Sequence, residues 1–492
     1  MLRFVLYKIM MRTLIFLSIY LLSHEASGWG ISNRNKFNSL RLPKEHLKDV
    51  QEHSFTQILD HFNPTDERTF QQRYFVNKNF VNGTSINTVF LFIGGEGGEN
   101  GYYTSVGFMA EYAAEIKALC FSVEHRYYGE SRPTENTTTK DLQFLTSQQA
   151  LADLAFFVEA MNVKYNFSQD VKWIAIGGSY AGNLAAWLRL KYPHLITGAM
   201  SASGPLLAKL DFPEYLEVVA DDLKRENASC LESVQRAFEQ LKVVLFNSTS
   251  HEDFDELFQS CVPVKDSVEN ALDMENLFSL ISDSLAYVAQ YDNNQAMLNA
   301  QYGMTIRSVC EIMKDEKIGS EMARLAAVNK QISGQSCFDF RYNTLIEMIQ
   351  GYGTSNGEKQ WIYQTCTEFG YYQTSSNKTF GDGFHLDFFI QQCIDIFGPQ
   401  YNKDFVQKAV ERTNNFYGGL DIDVTNVVFV HGVSDPWHVL GITRTRNIDS
   451  PAILIEGVAH CAVMDLSSKH DPPQLKEARG QIKQIIGSWL KL

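Results

Sequence analysis

Positive charge is scarce in this chain. Its 492 residues hold 43 lysines and arginines against 57 aspartates and glutamates, a net charge of −14. A surface of that sign repels phosphate backbones, which excludes a nucleic-acid partner. The spacings that hold metals or redox pairs are missing as well: there is no His-Glu-x-x-His and no Cys-x-x-Cys. That removes the zinc-peptidase and thioredoxin-like patterns, and neither metal nor cofactor is expected. No period of roughly 20 to 50 residues recurs and no low-complexity stretch stands out, which argues against solenoids and linker-like tails. Long apolar runs are absent beyond residues 13–22, a stretch too short to span a bilayer as an ordinary helix.

That single apolar run has a meaning of its own. Arg3, Lys8 and Arg12 precede it and the small residues Ala26, Ser27 and Gly28 follow, the order of a secretory signal peptide over residues 1–28. Six Asn-x-Ser/Thr sites, at Asn82, Asn136, Asn166, Asn227, Asn247 and Asn377, fit glycosylation on the same export route. The location expected is therefore the secretory pathway, lysosomal or extracellular. In such an oxidising compartment eight cysteines read as disulfide candidates. Cys230, Cys261, Cys310, Cys337, Cys366 and Cys393 lie mid-chain, with Cys120 and Cys461 outside them. The split suggests separately stapled regions of undetermined connectivity, and a bonded Cys461 would steady the loop around it. With 45% hydrophobic and 12% aromatic residues, the chain has core material for more than one compact unit.

Chemistry concentrates around Ser179. Residues 173–177 are an apolar strand, 177–182 read Gly-Gly-Ser-Tyr-Ala-Gly, and a helical pattern follows to Tyr192. This is the strand, tight turn and helix of a nucleophile elbow, in which small residues at 177 and 181 let the backbone turn sharply and expose the serine. Such a serine needs a base and an orienting acid in the chain order Ser, Asp, His. Residues 427–432 form an apolar strand that runs into Asp435, and 452–457 form another that empties into His460. Parallel strands end along one edge of a sheet, so Ser179, Asp435 and His460 can meet there. His431 and His438 compete as the base, and Asp421 and Asp423 as the acid. His460 is preferred because it is last in order and follows a strand, and Asp435 because it follows one where the other two precede it. Oxyanion donors are expected from the Tyr180 N–H and from the loop 94–98, Gly-Gly-Glu-Gly-Gly, at Gly95 and Glu96. That loop is no phosphate cradle, since no lysine follows it and no Gly-x-Gly-x-x-Gly spacing is present.

Strand and helix patterns alternate from roughly Arg73 to Pro205. Charged helical patterns fill about 209–417, and alternation resumes at Val424 before a last amphipathic helix. The fold expected is α/β, an α/β-hydrolase with a large helical cap insertion. Its divisions are a body in two parts, 29–208 and 418–492, and a cap at 209–417 that roofs the site.

Several stretches then carry a resemblance. Asp60-His61-Phe62, the run from Glu124 to Ser131, Gly177 to Gly182 and Asp435-Pro436-Trp437 resemble the lysosomal prolyl serine peptidase family from about Phe55 onward. The run from Trp361 to Gly370 and Ala459-His460-Cys461 are most similar to its thymus-specific branch. The resemblance implies a serine exopeptidase that cuts after proline or a small apolar residue at acidic pH, through an acyl-enzyme. It places the family's serine, aspartate and histidine on Ser179, Asp435 and His460. Asn183 and Ala181 stand where methionine and glycine are expected of prolyl-specific members, and residues 461–466 lack a basic residue expected of the carboxypeptidase. Proline preference and the choice of chain terminus therefore stay open. Asn183, Glu368, Tyr371 and Trp437 are pocket candidates. The partner expected is a peptide substrate, with a homodimer left open and no membrane insertion once the signal is removed. An esterase and a catalytically silent binding protein on the same fold remain alternatives.

Overall fold

A computed structural model describes residues 49–83, 86–246, 250–293, 303–351, 357–375 and 379–491. The signal segment 1–28, Asn247 and Asn377 lie outside these residues. At the centre is an eight-stranded sheet: β1 (Val50–Ile58), β2 (Thr69–Asn77), β3 (Thr88–Ile93), β4 (Leu119–Val123), β5 (Lys172–Gly178), β6 (Gly198–Ala202), β9 (Val427–Gly432) and β10 (Ala452–Ile455). Its order is β1-β2-β4-β3-β5-β6-β9-β10. β1 and β2 pair antiparallel with each other, and β2 antiparallel with β4; all other pairs are parallel. A short parallel pair, β7 (Lys209–Asp211) and β8 (Gly370–Tyr372), stands apart.

After their first residues, Thr88 and Lys172, strands β3 and β5 carry only apolar residues and glycine, because both of their faces are covered. Val89, Leu91 and Trp173 face one core, which includes Leu151 and Phe157 of α2 (Ser147–Lys164) and Leu184 and Leu188 of α3 (Tyr180–Lys191). Phe90, Phe92 and Ile174 face another, with Phe108 and Tyr112 of α1 (Phe108–Ile116) and Ile482 and Ile486 at the C-terminal end of the chain. The chain thus forms the three-layer α/β architecture expected of a hydrolase sheet.

Between β6 and β9 the described chain is mainly helical. Its helices are α4 (Glu214–Glu226), α5 (Ala228–Leu245), α6 (His251–Phe258), α7 (Ala271–Gln290), α8 (Ile306–Lys314), α9 (Glu321–Ser333), α10 (Tyr342–Gly351), α11 (Glu358–Gln364), α12 (Leu386–Phe397) and α13 (Lys403–Tyr417). A π-helical turn, Thr365–Phe369, follows α11, and α14 (Pro473–Leu490) closes the fold. Side-chain caps begin several of these helices: the Asn227, Asn270 and Asn402 carbonyls each accept a backbone N–H of the first turn.

The disulfides Cys230–Cys310, Cys261–Cys337 and Cys366–Cys393 all lie in this helical region. Cys120 and Cys461 are free thiols, so the expectation of a bonded Cys461 is corrected. The reason is distance. Cys120 is near the start of β4, whereas Cys461 packs beside Gly178 at the far end of β5, two strands away. Two strand spacings alone are about 10 Å, beyond the roughly 7 Å between Cα atoms that a disulfide spans. Asn82, Asn136 and Asn166 are exposed, while Asn227 is half-buried and caps α5. Among the described residues no helix is long and apolar enough to cross a membrane.

Candidate active site

β5 ends in a sharp turn. Ser179 has φ 59° and ψ −132°, a left-handed backbone rarely adopted by a residue with a side chain. The turn is held because the Ser179 N–H donates to Ala202 O at 2.9 Å, and the Gly182 and Asn183 N–H groups donate back to Ser179 O. Small residues are needed at close approaches: a Cβ on Gly177 would lie 2.0 Å from Ala181 O, and one on Gly182 2.8 Å from Ala202 O. Ala181 is tolerated because its methyl meets the open edge of Gly95 in ordinary contact, 3.6 Å from where a Cβ on that glycine would sit. The N–H groups of Tyr180 and Ala181 fall in the first turn of α3, where no intrahelical acceptor exists.

β9 and β10 run parallel to β5 through β6, so their carboxyl ends reach the same edge of the sheet. Asp435 is fully buried there and accepts hydrogen bonds from His460 Nδ1 at 2.9 Å and from the Trp437 N–H at 3.0 Å. Burial pushes the Asp435 carboxyl up, but the His460 charge and hydrogen bond overcome it and hold it below the usual carboxylate range. For His460 burial acts to lower the pKa, and the Asp435 carboxylate together with the neighbouring Cys461 side chain reverses this, raising it well above the ordinary 6.5. An imidazole so oriented turns its other nitrogen away from the acid, toward the side where Ser179 and Cys461 line the same cavity. His431 is excluded from that work: it is buried, packs against Gly441, has no hydrogen-bond partner at either ring nitrogen, and burial depresses its pKa to about 4. His438 Nδ1 bonds instead to the Asp435 main-chain carbonyl, and Asp421 pairs with Arg446 at the surface.

Ser179 and His460 line one cavity of about 230 Å³ together with Tyr180, Gly95, Glu96 and Trp437. A neighbouring cavity of about 200 Å³ shares Tyr287, Gln290, Tyr291, Glu358, Trp361 and Trp437 with it and adds Tyr371. Five of the six shared walls come from the helical region, on α7, α11 and the residue after α7. Gln290 binds the site most directly. Its carbonyl accepts the His460 main-chain N–H at 3.0 Å, and its side-chain oxygen accepts the Trp437 indole N–H at 3.1 Å.

The sequence candidates for the pocket therefore divide. Trp437 and Tyr371 are cavity walls, but Asn183 and Glu368 are not. Asn183 lies beneath the wall, donating from Nδ2 to Pro205 O and the Tyr371 hydroxyl. Glu368 is buried and accepts from the N–H and hydroxyl of Ser147, at the first turn of α2. Burial raises its pKa against those hydrogen bonds. Its place is structural, between the π-turn and the body. Glu368→Ala is expected to cost about 3 kcal/mol of stability, since it strands buried donors, while leaving the ratio of kcat/KM for Pro- and Ala-containing substrates unchanged. Denaturant midpoints and paired kinetics check this.

Sequence reasoning passed over three groups that the fold brings to the site. The Tyr180 hydroxyl bonds to His125 Nε2 and to Gln364 Nε2, both at 3.0 Å, tying the residue after Ser179 to the loop that follows β4 and to α11. Gln290 and Tyr291 contact His460, the latter ring edge-on at 6.0 Å. Glu124 and Arg73 grip the glycine-rich loop. The run from Glu124 to Ser131 was the one available signal for the last of these.

The sequence model of one family, described as Serine carboxypeptidase S28, matches residues 57–482. Thymus-specific serine protease of Mus musculus is 33% identical over 501 residues, covering 94% of this chain and 96% of its own. The Homo sapiens protein of that name is 33% identical over 453 residues, covering 89% and 86%. Lysosomal Pro-X carboxypeptidase of Mus musculus is 30% identical over 463 residues, covering 89% and 88%.

Proposed function

Since this chain belongs to the serine carboxypeptidase S28 family and is a serine-type peptidase, we propose that it is an exopeptidase of the secretory pathway that works through an acyl-enzyme on Ser179. The observation that carries this reading is the shared cavity: a strained, turn-borne Ser179 opens into the same space as His460, whose Nδ1 is bound to buried Asp435. Ser179 Oγ attacks the scissile carbonyl carbon and passes its proton to His460 Nε2. The oxygen that becomes negative is met by main-chain N–H groups of Tyr180 and of Gly95 or Glu96. His460 then gives its proton to the leaving nitrogen, and water repeats the sequence to release the acyl group.

Charge favours one chain terminus. Among the described residues, the first cavity is lined by Glu96, Glu99, Glu358 and Asp465, with His460 and no lysine or arginine, and the second adds Asp283 and no base. Burial raises the pKa of Glu99 and lifts that of Asp465 to about 7, so the negative charge of these walls grows as pH rises. A free ammonium is better accommodated in such walls than a free carboxylate. The aromatic surfaces of Trp361, Tyr371 and Trp437 suit proline or small apolar side chains.

The test is a peptide series of the type Xaa-Pro-Yaa and Xaa-Ala-Yaa, blocked at either end, with a fluorophosphonate probe as control. The probe is expected to label Ser179. Peptides with a free amino end are expected to be cut at least tenfold faster than their acetylated forms. Faster cleavage of amino-blocked peptides with a free carboxyl end would reverse the assigned direction. Turnover of simple esters with no peptide cleavage would defeat the exopeptidase reading.

A further inference from the structure

A loop of four glycines and two glutamates, residues 94–99, has little reason to hold one shape, since each glycine leaves the backbone soft. Oxyanion stabilisation requires the opposite: donors fixed before the charge appears, so that no reorganisation is needed when it does. We propose that Glu124 is the positioning residue that fixes this loop and thereby sets oxyanion stabilisation. The inference rests on the reading of Ser179 given above.

Glu124 directly follows β4 and is fully buried. Its carboxylate is enclosed by donors from three segments. Oε1 accepts from Arg73 Nη2 at 2.5 Å and from the Glu99 N–H at 2.9 Å. Oε2 accepts from Arg73 Nε at 3.3 Å, the Glu130 N–H at 3.0 Å, the Ser131 N–H at 2.9 Å and the Ser131 hydroxyl at 2.7 Å. The Arg73 guanidinium also donates to Glu99 O at 2.8 Å, so the last residue of the loop is held at both its N–H and its carbonyl. The first residue is held from the same strand end, since the Gly94 N–H donates to Val123 O at 2.8 Å. Between these anchors lie Gly95 and Glu96, facing Ser179 across the cavity. Gly129 shows how closely the carboxylate is seated: with φ +58°, a Cβ there would lie 2.0 Å from Glu124 Oε1.

Every hydrogen bond to this carboxylate comes from a donor, so it must be acceptor-only. An amide in either orientation sets an N–H against another N–H. Glu124→Gln therefore keeps size but breaks one end of the clamp, and the loop relaxes. Arg73→Lys keeps the charge but loses the forked geometry that joins Glu124 to Glu99 O.

The experiment compares the wild type, Glu124→Gln and Arg73→Lys on the best substrate of the blocked series. It adds the Ki of a peptide aldehyde, which forms an oxyanion on Ser179, and of the matching peptide alcohol, which does not. For Glu124→Gln the expected result is a kcat lower by about 10²-fold with KM within about threefold. The aldehyde should weaken by a similar factor and the alcohol should be unaffected. Arg73→Lys should shift the same way by about tenfold. Equal weakening of both inhibitors, or an unchanged ratio in folded Glu124→Gln, overturns the proposal. If Glu124→Gln does not fold, Arg73→Lys decides by the same ratio: a selective aldehyde loss supports the assignment and an unchanged ratio overturns it. Failure of the fluorophosphonate to label wild-type Ser179 overturns the functional reading and this inference with it. Labelling with an unchanged ratio overturns this inference alone.

Discussion

Ser179→Ala is expected to lower kcat for peptide cleavage by about 10⁶-fold while KM stays within a few-fold. The change deletes one hydroxyl from a turn whose shape is set elsewhere, by the Ser179 N–H to Ala202 O bond, the return bonds from Gly182 and Asn183, and the packing of Gly177 on Ala181 O. Alanine occupies the same backbone state with a comparable steric cost, so the fold and the cavity should persist. The donors around the oxyanion position also persist, which leaves some rate above the uncatalysed level. Active-site titration and steady-state kinetics on peptide substrates measure the loss. Retention of more than about one per cent of the rate in protein free of wild type would show that the hydroxyl is not the nucleophile.

Asp435→Asn is the second large effect, expected at about 10⁴-fold in kcat. The carboxylate accepts a proton-bearing nitrogen from His460 and another N–H from Trp437. An amide can present its NH₂ to Nδ1 and so favour the tautomer whose remaining nitrogen carries the hydrogen, leaving nothing to accept the Ser179 proton. The pH dependence supplies a second signature. His460 serves as base only when neutral, and Asp435 raises its pKa well above 6.5. Wild-type kcat/KM should therefore fall as pH drops through a value above 6.5. In Asp435→Asn the largest raising charge is gone while burial still lowers the pKa and only Cys461 still raises it, so the acid limb should move to lower pH as the rate collapses. An acid limb below pH 6 in the wild type would contradict the direction of the His460 shift, and with it the geometry that causes it. The acidic optimum implied by family resemblance runs against this expectation, so the wild-type profile decides between them.

The buried strands were the most legible part of the fold. β9 has the limits read from its apolar run at 427–432, because a strand covered on both faces is apolar through most of its length. β1 and β2 were harder. Val-Gln-Glu-His-Ser-Phe-Thr-Gln-Ile alternates weakly and half of it faces solvent, so nothing marks it as a strand before its partner is known. β7 and β8 have three residues each, below the length at which a period can be seen. At the site, the gathering of Ser179, Asp435 and His460 at one edge of the sheet was legible because each sits just after an apolar strand in a fixed chain order. Asn183 and Glu368 were not placed correctly, since a polar residue near a motif reads alike whether it faces a cavity or is satisfied behind its wall. Glu124 shows the same limit from the other side. Its motif was visible, but the partners that define its role, Arg73 and Glu99, are remote in sequence and meet it only when β2, β4 and the loop after β3 come together.

Gln290 has a consequence for how a peptide gets in. It ends α7, and its main-chain carbonyl accepts the His460 N–H while its side-chain oxygen accepts the Trp437 indole N–H. Moving that corner outward would break the hydrogen bond to the His460 main chain and the one to the Trp437 indole, so an opening there would loosen the backbone that carries His460. A peptide that reaches Ser179 without that disturbance enters along another wall of the cavity.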